Sequence, residues 1–159
     1  MVAISEISAV IAATGVILGV LFAMVQLRNL VKARRMDLVM RLYLAWGEES
    51  MKNAFARVLA VEVTTYEEFV KIHGPMAGPN REQIWTDIDR VGWFANGYSF
   101  LVYKGLANPR DIEDLFGHGV ILLWEKFRPL VEGWRRDLKM PRSYKWFEYL
   151  YNVKKSRNR

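Results

Sequence analysis

Between Glu6 and Arg28 the chain carries no charged side chain: Ile7 to Leu27, ISAVIAATGVILGVLFAMVQL, is a run of 21 almost uniformly apolar residues. At a rise of about 1.5 Å per residue such a helix is roughly 30 Å long, which matches the hydrocarbon thickness of a bilayer. The run predicts a transmembrane helix. A secretory signal peptide would show a basic leading segment and a shorter apolar core of about 7 to 15 residues closed by small residues. Neither feature is present here. A helix lying on the membrane surface would show a polar face, and none exists before Gln26. Core helices of soluble proteins are usually shorter and seldom apolar all round.

Beyond Leu27 the pattern becomes amphipathic. Leu27, Leu30, Val31, Leu38, Val39, Leu42 and Trp46 alternate with Arg28, Lys32, Arg35 and Arg41, and no Pro or Gly intervenes before Gly47. The first helix is therefore expected to continue out of the membrane to about Trp46. Glu48 to Val63 reads as a second helix, with Met51, Phe55, Val58 and Leu59 on one face. Tyr66 to Ile72 reads as a third, capped by Thr64 or Thr65 with Glu67 and Glu68 in its first turn. His73 to Asn80, HGPMAGPN, is a breaker-rich loop. Asn80 and Gln83 then resemble a capping box for a long helix whose stripe is Ile84, Ile88, Val91, Ala95, Tyr98 and Val102, ended by Gly105. Asn108-Pro109 opens a short helix closed by Gly117. Val120 to Leu138 continues helical with a kink expected at Pro129, and Pro141 is expected to start a last helix through about Lys154. No alternating strand pattern occurs. The expected fold is all-α: an N-terminal transmembrane helix continuing into a cytoplasmic helical bundle. The expected divisions are 1–27 (short N-terminus and span), 28–47 (juxtamembrane extension), 48–155 (helical domain) and 156–159 (basic tail).

Small residues recur within the span at Ser8, Ala12, Gly15, Gly19 and Ala23, followed by Gln26. Gly15, Gly19 and Ala23 form small-xxx-small repeats, which let helix backbones approach closely where lipid supplies no hydrophobic drive. Steps of three or four extend the stripe through Leu30 and Ala33 to Asp37, and this continuity points to self-association. Arg28, Lys32, Arg34 and Arg35 follow the span and no basic residue precedes it. Basic residues in short flanking segments stay on the cytoplasmic side, so the N-terminus is expected outside and the helical domain in the cytoplasm of a cell-membrane protein.

Charge adds a partner. All 23 Lys and Arg but only 16 of the 17 acids lie beyond the span, giving the rest of the chain 23 − 16 = +7. The excess suits anionic lipid headgroups, toward which each nearby basic residue contributes about 1 kcal/mol. Arg28, Lys32, Arg34 and Arg35 are the expected lipid contacts. Nucleic acid would accept the same charge, but an anchored domain has a nearer polyanion. The absence of cysteine removes disulfides, thiolate metal sites and cysteine nucleophiles.

Catalytic and metal-binding patterns are missing. His73 and His118 are too few for a histidine-based metal site, and no paired His spacing exists. His118, in Gly-His-Gly, reads as a turn residue. Asp87 and Asp89, two apart, point about 200° from one another on a helix and cannot act as a pair unaided. Asp111, Glu113 and Asp114 sit at a helix start, where the dipole favours acids. No cofactor-binding motif is present. Trp134, Arg135, Arg136, Lys139, Arg142, Lys145 and Trp146 interleave bases with aromatics, suited to a solvated basic face, a membrane surface or RNA.

The segment Trp93 to Leu150 resembles the family catalogued as domain of unknown function 4760. The resemblance rests on the Lys104-Gly105-Leu106 turn, the Asp111 to Phe116 segment ending in Gly117, Trp124-Glu125, Arg128-Pro129, Arg135 or Arg136, and Phe147-Glu148. The N-terminal anchor and Arg34-Arg35 extend it over most of the chain. It implies prokaryotic proteins with an N-terminal membrane helix and a helical cytoplasmic domain, and it supplies no activity. In one departure, Asn96 stands where the family pattern implies a glutamate after the aromatic pair, leaving any acidic role there unfilled. The combined expectation is a single-pass membrane protein forming a symmetric homo-oligomer with a structural or binding role. The alternatives are an ion channel lined by the N-terminal helices and a membrane-tethered enzyme.

Overall fold

The computed structural model describes residues 2–79, 81–116 and 119–157. Among them lie seven helices and no strand: α1 (Val2–Gly47), α2 (Glu49–Ala60), α3 (Tyr66–His73), α4 (Gln83–Tyr103), α5 (Pro109–Phe116), α6 (Gly119–Asp137) and α7 (Lys145–Arg157). The fold is all-α, as the periodicity implies. The chain divides into two compact units after Leu38.

In the first unit every described side chain from Ile7 to Leu27 is exposed. The helix satisfies its own hydroxyls. Ser8 Oγ donates to the Ile4 carbonyl at 2.9 Å and Thr14 Oγ1 donates to the Val10 carbonyl at 2.8 Å. Neither hydroxyl then needs an outside partner in an apolar medium.

The second unit is organised on α4. Its predicted stripe is buried: Ile88, Val91, Ala95, Tyr98 and Val102 lie in the core and Ile84 packs against it. α2 and α7 pack on α4, α6 packs on α7, and α3 packs on α6. Burying each large aliphatic or aromatic side chain contributes about 1.5–3 kcal/mol, so Trp85, Phe127, Trp134 and Phe147, all nearly inaccessible, carry much of the stability. Two glycines set the interhelical fit. A Cβ at Gly92 would lie 2.8 Å from both Phe127 Cε1 and Tyr144 Cε1, and one at Gly133 would lie 2.1 Å from Tyr66 Cγ.

Helix ends show where local sequence decides and where it does not. Thr65 caps α3 by accepting from the Glu68 N–H at 3.2 Å, as its sequence suggests. α4 closes at Gly105 (φ 69°), with the Gly105 N–H on the Val102 carbonyl and the Leu106 N–H on the Leu101 carbonyl, the Schellman pattern. α4 begins at Gln83 behind Glu82, whose side chain makes no capping bond. The expected Asn80 cap, the Gly117 stop and the His118 turn fall outside the described residues. α6 runs through Pro129 without interruption.

The start of α7 differs from expectation. It begins at Lys145, not Pro141. Pro141 to Tyr144 form a turn in which Tyr144 adopts φ 53°, placing its ring against Trp134 and Phe127. The first amides of α7 are capped from another helix: Asn96 Oδ1 accepts from the backbone N–H of Trp146 at 3.2 Å and of Phe147 at 3.3 Å. The last helix also continues through Arg157, so half of the expected basic tail is helical.

Candidate functional site

On α1 the stripe residues Ser8, Ala12, Gly15, Gly19, Ala23 and Gln26 are all exposed. At 100° per residue they fall within an arc of about 80°, one narrow face of the helix. A Cβ built on Gly15 or Gly19 meets nothing within 4 Å, so this face is open to a neighbouring helix. A shallow concavity lined by Ala23, Gln26, Leu30 and Ala33 continues the same face toward the helical domain's end of α1. Arg28, Lys32 and Arg34 are exposed and Arg35 is half-buried. Arg28, Lys32 and Arg35 share a face by helical spacing, with Arg34 about 120° away.

In the helical domain several titratable residues are engaged structurally. Asp87 is fully buried and takes a two-pronged contact from Arg57, Nε to Oδ2 at 2.5 Å and Nη2 to Oδ1 at 2.9 Å, with Gln83 Nε2 donating to Oδ1 at 3.2 Å. The Arg57 hydrogen bonds hold the Asp87 carboxyl below its ordinary value of 3.8 against the opposing effect of burial. Asp89 pairs separately with Arg81 and faces the Tyr144 hydroxyl at 3.4 Å. The two carboxyl groups thus have different arginine partners. Burial pushes the Tyr98 phenol above its ordinary value of 10.0, and burial together with Asp89 does the same for Tyr144. Both remain neutral near pH 7, which disfavours them as bases. Among the described residues no group of three or more His, Asp or Glu is placed to hold a metal ion.

Two hollows remain. The enclosed one, between Trp46, Phe94, Tyr98, Phe116 and Leu123, is apolar and holds about one water-sized volume. Its walls are an aromatic cluster, with Trp46 stacked on Phe94 at 5.6 Å and Tyr98 stacked on Phe116 at 5.0 Å. It is core packing, too small for a substrate. The other is an open groove of about 350 Å³ bounded by Trp93, Asn96 and the Met140–Trp146 segment.

The basic and aromatic run expected at 134–146 separates into two roles. Trp134 is buried in the core. Arg135 clamps the turn, donating from Nε and Nη2 to the Ser143 carbonyl at 3.1 and 2.8 Å and from Nη2 to Glu148 at 2.7 Å. Arg136 pairs with Glu67 and Asp137. Lys139, Arg142, Lys145 and Trp146 reach the surface beside the groove. The second face of α4, where Trp93, Phe100 and Tyr103 are exposed, is not among the features expected from the sequence. The signal was available: 93, 96, 100 and 103 repeat at helical spacing on the side away from the buried stripe. Asn96 sits on this face, and its side chain is a helix cap where an acid was implied.

No curated protein and no solved structure matches the chain. The family described as a domain of unknown function, DUF4760, matches residues 9–154, which leaves out only the first eight and the last five residues. With that match covering the apolar helix from Ala9 onward and all of α2 to α6, the chain belongs to the DUF4760 family.

Proposed function

We propose that the chain is a single-pass membrane protein that assembles with copies of itself through the small-residue face of α1, and that the helical domain serves a structural or binding role at the cytoplasmic surface. The observation that carries this reading is the exposure of every side chain from Ile7 to Leu27. Val10 at 64%, Ile11 at 67% and Val16 at 66% lie on different sides of the helix. A rod apolar all round is stable in lipid and insoluble in water. Within lipid, close approach at Gly15 and Gly19 is the available drive for self-association. Arg28, Lys32, Arg34 and Arg35 favour retention of the following domain on the cytoplasmic side and contact with anionic headgroups.

The test is the mass and symmetry of the full chain in nanodiscs, alongside Gly19→Ile. The bulky branched side chain is expected to shift the particle to smaller assemblies. An unchanged mass for Gly19→Ile, or a monomeric parent chain, overturns assembly through this face. The same measurement bears on the channel alternative, because a dimer cannot enclose a pore whereas a ring of five or more subunits can.

A further inference from the structure

We propose that the aromatic and basic face made by the outer side of α4, the Leu138–Tyr144 turn and Trp146 seats on an anionic lipid surface. The side chains are of the kind that partitions into headgroups. Trp93 is 61% exposed and Met140 53%, and Phe100 and Tyr103 are exposed beside them. Trp146 joins the two elements, its ring 5.6 Å from Phe100 and 4.1 Å from Tyr103. Amphipathic aromatic rings sit at the membrane–water interface, where one end is apolar and the other wet.

Charge complementarity favours an anionic lipid surface over a protein partner. Lys104, Lys139 and Arg142 are exposed around these rings, and Lys145 Nζ lies 4.1 Å from the Trp146 ring centre. The residues bounding the groove include no acid. Acids near this face are paired, Asp89 with Arg81, Asp137 with Arg136 and Glu148 with Arg135. Lysine and arginine over and around aromatic rings are suited to phosphate-bearing headgroups, while protein interfaces are depleted in lysine.

The face is also preformed at an energetic cost. Lys139 (φ 52°) and Tyr144 (φ 53°) both adopt left-handed backbone, a conformation unfavourable for a residue that has a side chain. Arg135 holds the turn by the Ser143 carbonyl, and the Tyr144 ring locks it by packing over the bare backbone of Gly92. Met140, Pro141 and Arg142 stand exposed within this turn. A core-packing role explains Tyr144. It does not explain why the same turn presents Met140, Pro141 and Arg142 together at the surface.

The inference relies on the membrane anchor proposed above only to bring lipid near, and the test separates the two. The chain has no cysteine, so single substitutions give clean labelling sites. Full-length chains carrying Met140→Cys, Leu18→Cys or Lys71→Cys are labelled with a small fluorophore in nanodiscs containing brominated lipid. The nanodiscs are either pure phosphatidylcholine or one-third phosphatidylglycerol. In the anionic discs the label at position 140 is expected to be quenched several-fold more than the label at exposed position 71. The difference should shrink in pure phosphatidylcholine and in molar salt, where the Debye length falls to about 3 Å. Each cation near an anionic surface alters partitioning about fivefold, so Lys139→Gln with Arg142→Gln should lower the seated-to-free ratio about 25-fold. Equal quenching at positions 140 and 71 in anionic discs overturns the proposal. So does a shielded label at position 140 that ignores bromination and depends on protein concentration, which would mark a protein partner. Position 18 reports the anchor alone: its label escaping quenching refutes the anchor, and position 140 still decides the face against the same discs.

Discussion

Gly133→Ala should destabilise the helical domain, and the same substitution should stabilise it once Tyr66 is replaced by Ala. In an unobstructed helix interior, Ala is favoured over Gly by about 1 kcal/mol. Here a Cβ at position 133 would lie 2.1 Å from Tyr66 Cγ, 2.4 Å from Cδ1 and 2.6 Å from Cβ. These atoms are the root of the side chain, so no rotation of a flexible end relieves the clash, and the start of α3 must move away from α6. Overpacking of this kind costs about 1–3 kcal/mol, with the root atoms placing this case near the upper end. The net loss is about 2 kcal/mol. For a domain between the size classes for which such shifts are established, about 4 °C per kcal/mol applies, giving a fall in Tm of about 8 °C. In the Tyr66→Ala background the obstruction is gone, and Gly133→Ala should raise Tm by about 4 °C. Thermal melts of the four full-length chains in one detergent, followed by near-UV circular dichroism, form a complete cycle. If Gly133→Ala lowers Tm equally in both backgrounds, the α3–α6 fit does not depend on that glycine and the reasoning is refuted.

Asn96→Ala should cost about 1 kcal/mol by stripping the cap from α7, whereas Asn96→Asp should retain stability because a carboxylate accepts the same bonds and suits the helix start. Denaturant midpoints with amide exchange at Trp146 and Phe147 check this, and unchanged exchange in Asn96→Ala would discount the cap. The Asp87 carboxyl titrates below its ordinary 3.8 in the folded chain, so the stability it contributes is complete above about pH 4 and is lost as pH falls through its folded value. Arg57→Gln should lower stability at pH 7 and shrink or reverse this acid-induced loss. Parallel pH–stability curves for the two chains would exclude the pair as its source.

The elements legible in the sequence are those whose signals are local. The α4 stripe from Ile88 to Val102 lies in the core because a 3.6-residue period on a long helix specifies one buried face whatever packs on it. Thr65 and Gly105 act as read, since a side-chain cap and a left-handed glycine act on their own helix ends. The boundary of α7 was not legible. Pro141 is a sound local start signal, but Tyr144's demand for the core and Asn96's carbonyl, some fifty residues earlier, move the start to Lys145. The fate of Trp134, Arg135 and Arg136 was hidden for a similar reason. Three adjacent residues on a helix point in three directions, and which of them meets the core, the turn or α3 depends on neighbours remote in sequence. Which residues of α1 share a face follows from helical spacing alone, and the structure adds that they are exposed.

Several helix termini are tied down by side chains from distant parts of the chain. Lys126 Nζ donates to the Leu59 carbonyl at the end of α2, Arg90 Nη1 to the Ser50 carbonyl at its start at 3.2 Å, and Trp85 Nε1 to the Gly74 carbonyl after α3 at 3.2 Å. With Asn96 doing the same for α7, these short helices have little reason to persist as separate peptides. The domain should come apart as one event, its terminal amides exchanging at nearly the same pace as those at the centre of α4. Proteolytic nicking in the Pro75–Pro79 loop would then leave the two fragments bound to each other until the whole assembly melts.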